Sequence, residues 1–395
     1  MARTKSIQAT RDTTPNLEAR IISAIGSAGP RNVAQISRMT GAHQETIRYK
    51  IKKRFGRLGF RFHAEVDFPK LGLDLHWATL NFSEGYRGAA TQILATLNKV
   101  GYLTYYGKIV PQGYYVALFA LPEGTTDTYR EFLSGLVAEK VLSGFTLERS
   151  VASRHKPMDP KYFNFRSGKW EIGWDSIPDQ APLPLTSGPK PQLEDFDYYD
   201  LLIIKELQKD SLQHLTTIAR RLKVHQKTLE YHYRTHVQKW KLVPSYRIQW
   251  VQDVSKRLMH STATTWLAFR NLSESELAGV QAAVSKIPFL WSEDVLEGGT
   301  YMVTMYTPLT DLLAVSTYID SALPKLASKV EIGFVNPTDS YLFNVPHNMY
   351  QDGEWKFNTQ QMCTALRKES AVSLQNSGAR PIYTSVSTVS RCQKA

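Results

Sequence analysis

Two nine-residue stretches carry side chains suited to reading a DNA groove: His-Gln-Glu-Thr-Ile-Arg-Tyr-Lys-Ile at 43 to 51, and His-Gln-Lys-Thr-Leu-Glu-Tyr-His-Tyr at 225 to 233. Ile47/Leu229 and Ile51/Tyr233 stand four apart, so each stretch predicts a helix with one face turned to a core. That face leaves Gln44, Arg48 and Lys52 outward in the first copy. Glutamine can pair with adenine, arginine with guanine, and lysine with phosphate. The matching residues in the second copy are Gln226, Glu230 and Arg234, and Glu45 is matched by Lys227. The two helices therefore cannot prefer the same bases, and the second has either weak DNA contact or a structural role. The candidate DNA-binding residues are His43, Gln44, Glu45, Arg48, Lys52, Lys53, Arg57, Arg61, Gln226, Lys227, Glu230 and Arg234. Their bland alternative is a solvated helix face.

His43 and His225 stand at helix starts in place of an ordinary capping residue, and a helix-start or phosphate contact is expected of them rather than metal or acid-base chemistry. His232 and His236, four apart, could supply half of a metal site, but the first copy has Lys50 and Arg54 there, so no metal is expected. No catalytic residue and no cofactor is expected.

A helix from Leu17 with Ile21, Ile22 and Ile25, a short helix near Asn32 with Val33 and Ile36, and a turn at Thr40-Gly41 must position the first stretch. Three helices, the last two joined by a tight turn, make a helix-turn-helix. Residues 59 to 68 alternate like a strand, which predicts a wing. Residues 76 to 148 then read βαββαβ, the order of a ferredoxin-like sandwich, followed by a hairpin containing Trp170. Five prolines between 176 and 195 mark an extended linker. A shift of 182 aligns 17–60 with 199–242 without a gap, and the sandwich and the hairpin, now with Trp355, recur.

The fold class is therefore α+β, in two repeats of a winged helix-turn-helix, a βαββαβ sandwich and a Trp hairpin. The expected boundaries are a flexible basic arm at 1–16, winged units at 17–68 and 197–250, and sandwiches with hairpins at 69–175 and 251–358. A Pro-rich linker occupies 176–196 and a disordered tail 359–395.

The chain has 395 residues and a formal charge of +12. Residues 1 to 63 hold thirteen Lys/Arg against three Asp/Glu, whereas 197 to 250 hold ten against five. The excess around the first helix favours a polyanion, double-stranded DNA, over a basic tail that only aids solubility. The two cysteines, Cys363 and Cys392, supply no disulfide framework. No apolar run is long enough for a membrane span, and the N-terminus lacks the apolar region of a signal peptide, so a cytoplasmic, nucleoid-associated protein without membrane contact is expected. The strand aromatics Trp77, Tyr105, Tyr106, Tyr115, Trp266, Trp291, Tyr301 and Tyr306 suit sheet packing, with a pocket for an apolar or aromatic small-molecule effector as the alternative.

This order of motifs resembles the Lrp/AsnC family of regulators, duplicated in tandem. Asp197 to Asp210 is similar to the family's opening helix and Thr217-Ile-Ala219 to its second. The resemblance covers roughly 17–150 and 197–335. It implies self-association through the sandwiches and an amino-acid effector near a Gly-Asp-Tyr-like turn. The turns here read Gln112-Gly-Tyr114 and Gly299-Thr-Tyr301, without the acid, so free amino acids are not expected to act strongly. Siroheme decarboxylases resemble the same two-domain unit, with a His-Asn-Tyr-like motif beside their substrate. Here the equivalent stretches read Leu103-Thr-Tyr-Tyr106 and Leu290-Trp-Ser-Glu293, without the histidine. The expectation is a DNA-binding regulator or architectural protein built as an intramolecular pseudo-dimer. A protein-assembly module and a fused decarboxylase-like enzyme are the rival classes.

Overall fold

A computed structural model describes residues 16–157, 159–174, 185, 193–250 and 262–376. Helix α1 (Leu17–Ala28) starts where the Asn16 side chain accepts the Glu18 amide, and it buries Ile21, Ile22 and Ile25. Helix α2 (Val33–Thr40) ends at Gly41 with φ 70°, the left-handed conformation that lets the chain turn at once into α3 (Gln44–Tyr49). Helix α3 runs on with π-type hydrogen bonding through Lys50–Phe55. Ile47, Ile51 and Phe55 are the buried stripe of this continuous helix.

The second unit repeats the plan after the sandwich strands of the first half. In chain order come β1 (Arg61–Ala64), β2 (Leu73–Phe82), α4 (Ala90–Val100), β3 (Leu103–Val110), β4 (Tyr115–Pro122), α5 (Thr126–Ala138), β5 (Leu142–His155), β6 (Phe163–Asn164) and β7 (Lys169–Trp170). Then α6 (Tyr198–Lys209), α7 (Leu215–Leu222) and α8 (Gln226–Tyr231) follow, with α8 continuing as a π-type segment over His232–Lys239. Next are β8 (Tyr246–Gln249), β9 (Thr262–Phe269), α9 (Glu274–Ser285), β10 (Leu290–Leu296), β11 (Tyr301–Pro308), α10 (Leu312–Ala322) and β12 (Val330–Leu342). The chain closes with β13 (Tyr350–Gln351), β14 (Glu354–Trp355) and α11 (Thr359–Asn376).

Three features differ from the sequence expectation. First, the two wings are not separate: β1 pairs antiparallel with β8, Arg61 opposite Gln249 and Ala64 opposite Tyr246. Four residues alone would leave a row of unpaired amides and carbonyls, and each strand supplies the other's partners. The close approach is visible at Gly29, where an added Cβ would stand 2.7 Å from the Tyr246 ring.

Second, the two four-stranded sheets are not independent sandwiches. Their internal orders are β3-β4-β2-β5 and β10-β11-β9-β12, and they join at β12–β3 and β5–β10 into one closed eight-stranded barrel. Closure removes the exposed sheet edges. Trp77, Ile109, Val116, Trp266, Met302 and Val335, drawn from both sheets, share one apolar cluster. The two seams differ. At β5–β10, Arg154 pairs with buried Glu293 at 2.6 Å, and Ser150 Oγ donates to Asp294 Oδ1 at 2.9 Å. At β12–β3, Gly107 and Gly333 admit Val335 and Ile109 to where a Cβ would stand, at 2.8 and 2.4 Å.

Third, residues 359–376 of the expected disordered tail form α11, which buries Met362 and Leu366 in the first-half core and joins Arg367 to Glu139 at 2.6 Å. Two apolar residues four apart are enough for a docking stripe on an otherwise polar helix. Residues 377–395, the arm at 1–15 and most of the 176–196 linker lie outside the described residues. Among the described residues no helix is long and apolar enough to cross a membrane.

The Trp hairpins explain how the helical units sit on the barrel. Hairpin β6–β7 packs Phe165 against Phe55, the rings inclined by 50°, and sets Trp170 edge-on to Trp250 and Phe289. It thus bridges the first helical unit to the second half's sheet. Hairpin β13–β14 sets Trp355 against Phe196 and Tyr102, and Trp355 Nε1 donates to the Leu71 carbonyl at 2.6 Å. It bridges the second unit to the first half's sheet, so the packing is crossed.

Candidate nucleic-acid interface

Both recognition-type helices begin with an imidazole in place of the usual hydroxyl or carboxamide cap. His43 Nδ1 accepts the Glu45 amide and His225 Nδ1 accepts the Lys227 amide, each at 3.3 Å. An accepting Nδ1 puts the neutral ring's proton on Nε2, where it can donate to an anion.

On the first helix, Gln44, Glu45, Arg48, Lys52 and Lys53 are exposed, and Arg57 and Arg61 are exposed beyond it. Arg48 pairs with Glu45, and its second nitrogen donates to Gln44 Oε1 at 3.3 Å. Gln44, Glu45 and Arg48 thus hold one another, and any outside partner of these groups must exchange these bonds. Not every cation of the helix faces outward. Lys50 Nζ meets Glu18 Oε1 at 2.6 Å, and Arg54 donates to the Phe165 carbonyl. Burial alone would raise the Glu18 carboxyl, but the Lys50 hydrogen bond and charge outweigh it and hold the group below its usual range.

In the second unit Gln226 Nε2 donates to Glu230 Oε1 at 2.9 Å, and Glu230 is only half exposed. Lys227 and Arg234 are exposed. Arg61, read as a wing cation, lies on the shared ribbon opposite Gln249. The two units also touch through a residue that sequence reasoning did not single out. Arg31 donates to the Gln213 carbonyl at 3.1 Å and lies over the Tyr233 ring at 4.5 Å.

A further cluster sits behind the second helix. Asp200, fully buried, receives His232 Nδ1 at 3.0 Å on one oxygen and His236 Nδ1 at 2.8 Å on the other. Sequence reading noted the two histidines but missed the carboxylate 32 positions upstream of His232. The shift of 182 held the signal, because it matches Asp200, His232 and His236 with Glu18, Lys50 and Arg54.

The strand aromatics are engaged in packing: Trp77 meets Tyr105 at 6.1 Å and Trp291 meets Tyr306 at 4.7 Å between ring centroids. A groove of about 270 Å³ lies instead beside α10, with Leu267, Met305, Leu312, Ile319, Ile332 and Phe334 in its lining. In the stretches matched to the decarboxylase motif, Tyr106 packs on Phe343, and Glu293 is held by Arg154 and the Tyr301 hydroxyl. At the middle turns, Gln112 Nε2 donates to the Ile332 carbonyl at 3.1 Å and Tyr301 is buried.

No protein-family model and no curated protein matches the chain. Among solved structures it is similar to the siroheme decarboxylase NirDL, with a TM-score of 0.52 and 9% identity over 90% of this chain and 99% of that one. The same enzyme in co-complex with an iron-uroporphyrin III analogue gives a TM-score of 0.52 and 10% identity over 89% and 100%. At such identity the likeness speaks for architecture alone: nearly end to end, this chain has the fold of that enzyme.

Proposed function

We propose that the chain is a duplex-DNA-binding protein, a transcriptional regulator or architectural protein of Lrp/AsnC-like type whose duplicated halves form an intramolecular pseudo-dimer. The observation that carries this reading is the exposed Gln44, Arg48, Lys52 and Lys53 face on a helix held by the buried Ile47, Ile51 and Phe55. A rigid helix offering amides and cations outward meets the needs of a major groove. The two outward faces differ in charge, so a single chain should favour a non-palindromic site. No catalytic step is part of the reading.

Fluorescence anisotropy with labelled duplex at several salt concentrations tests it. If about five phosphates are neutralised, the log-log slope of affinity against salt should be about -4 to -5. A flat salt response would remove the electrostatic basis of the proposal.

The end-to-end likeness to a siroheme decarboxylase favours one second reading, a fused enzyme of that class. Titration with iron-uroporphyrin III separates the two. Saturable movement of the tetrapyrrole absorption band supports the enzyme, and an unchanged spectrum removes that reading.

A further inference from the structure

The geometry points to a transition-metal site of the zinc class in the second helical unit, with Asp200, His232 and His236 as its protein ligands. It is the one group of three or more metal-capable side chains within ligand distance among the described residues, its ligand atoms all lying within 4.8 Å of one another. This inference stands on that cluster and is independent of DNA binding.

The ligands come from two helices. Asp200 is the third residue of α6, while His232 and His236 are four apart on the π-type continuation of α8. Both Nδ1 atoms aim at one carboxylate, at 3.0 and 2.8 Å on its two oxygens. Zinc bonds of roughly 2.0–2.2 Å to nitrogen and oxygen place neighbouring ligand atoms at about such separations, so small side-chain rotations suffice. A coordinating Nδ1 carries no proton, so each ring that binds the ion through Nδ1 would keep its proton on Nε2, and the ion would replace the two hydrogen bonds to Asp200.

The surroundings suit an ion. A buried carboxylate needs a compensating cation, and the ion-pair partners of Asp200 are two imidazoles, where Glu18 in the matching place has the permanent charge of Lys50. The carboxylate is oriented by the Asp197 amide, which donates to Oδ2 at 2.9 Å. The His236 ring is held against Trp240 at 4.0 Å between centroids and 8° between planes. Such supporting contacts fix ligand direction. Asp197 Oδ1 lies 3.7 Å from His232 Nδ1 but accepts the Tyr199 and Asp200 amides, so water is left to complete four-coordination. Two imidazoles select zinc, cobalt or nickel over magnesium and calcium. The bound ion would tie the start of α6 to the second recognition-type helix.

Calorimetric titration of the full-length chain with zinc chloride tests the site, together with X-ray absorption of the loaded protein. The expected result is one equivalent bound with Kd at or below about 1 μM, a shell containing two imidazoles, and a melting temperature that rises with zinc. His236→Gln and Asp200→Asn should each weaken binding by about 100-fold or more, with circular dichroism reporting their folding. Should those variants unfold, the shell measured on the unaltered protein decides. Absence of binding at about 100 μM zinc, a shell without two imidazoles, or unchanged affinity in folded His236→Gln overturns the site.

Discussion

The helices at 44–55 and 226–239 begin alike, with an imidazole accepting the amide two residues on, and then diverge at their outward positions. In the first unit the inward cation Lys50 is spent on Glu18, while Lys52 and Lys53 face solvent. In the second, Gln226 is bonded to the half-buried Glu230, and the inward positions are titratable histidines on a buried aspartate. The same backbone plan thus supports two different surfaces. Shape alone does not make a recognition helix; the charge that its outer face keeps for a partner decides its role.

The largest expected effect breaks the comparison at the core. Phe55 packs with Phe60, Phe62 and Phe165, whereas its counterpart at the shift of 182 is Val237. Phe55→Ala should destabilise the protein by about 3–5 kcal/mol and Val237→Ala by about 1–3 kcal/mol, read from denaturant midpoints. Equal losses would deny the aromatic cluster its role.

Next comes the buried Asp294, whose counterpart in the matched stretch of the first half is Gly107. Burial pushes its carboxyl up to about 6 despite the Ser150 hydrogen bond. An acid raised in the folded state binds its proton more tightly there than in the unfolded chain. Its ionisation therefore removes stability as pH rises from about 4 to above 6, by up to about 3 kcal/mol. Asp294→Asn should be more stable than the natural chain at pH 7.5, and the gap should close near pH 4 in thermal melts. A gap that widens on acidification would contradict the assignment.

DNA affinity sharpens the contrast between the outer faces. Arg48→Ala with Lys52→Ala should weaken duplex binding by about 1–3 kcal/mol, roughly 5- to 150-fold. Glu230→Ala with Arg234→Ala should change it by no more than about threefold. Anisotropy measurements giving equal losses from both pairs would place the two helices on the same footing.

The smallest effect concerns Glu18, whose carboxyl is lowered in the folded state. Its pairing with Lys50 contributes stability above the unfolded-state pKa, and that contribution disappears as pH falls through the folded value. Glu18→Gln should lose below about 1 kcal/mol at pH 7 and show a shallower acid limb. An unaltered acid limb would mean that the pair is balanced by its desolvation.

Much of the element order was legible because apolar spacing is local. Ile47, Ile51 and Phe55 declare a helix within nine residues, and the short unbroken apolar run over 114–121 declares a buried strand. What the spacing could not declare were pairings between distant segments. The ribbon joins residue 61 to 249, and the barrel seams join β5 to β10 and β12 to β3. Backbone edges carry no side-chain signature of their partner. Helix α11 was hidden because its buried stripe rests on few residues within a Ser-, Thr- and Gln-rich stretch. Asp200 was hidden by its role as a helix-start residue, which explains a carboxylate there without invoking the histidines.

The crossed packing has a consequence for synthesis. The cluster that encloses α1, Ile47 and Phe55 also contains Trp250, Phe289 and Tyr306. The first helical unit thus emerges from the ribosome long before the side chains that close its core exist. At about 5–20 residues per second, the wait to reach Tyr306 is roughly a quarter of a minute to a minute. Throughout that interval an incomplete core and the unpaired edge of β1 are open to other nascent chains. Translation speed and chaperone supply should therefore govern the yield of native protein more strongly than they do for a chain whose first domain closes on itself.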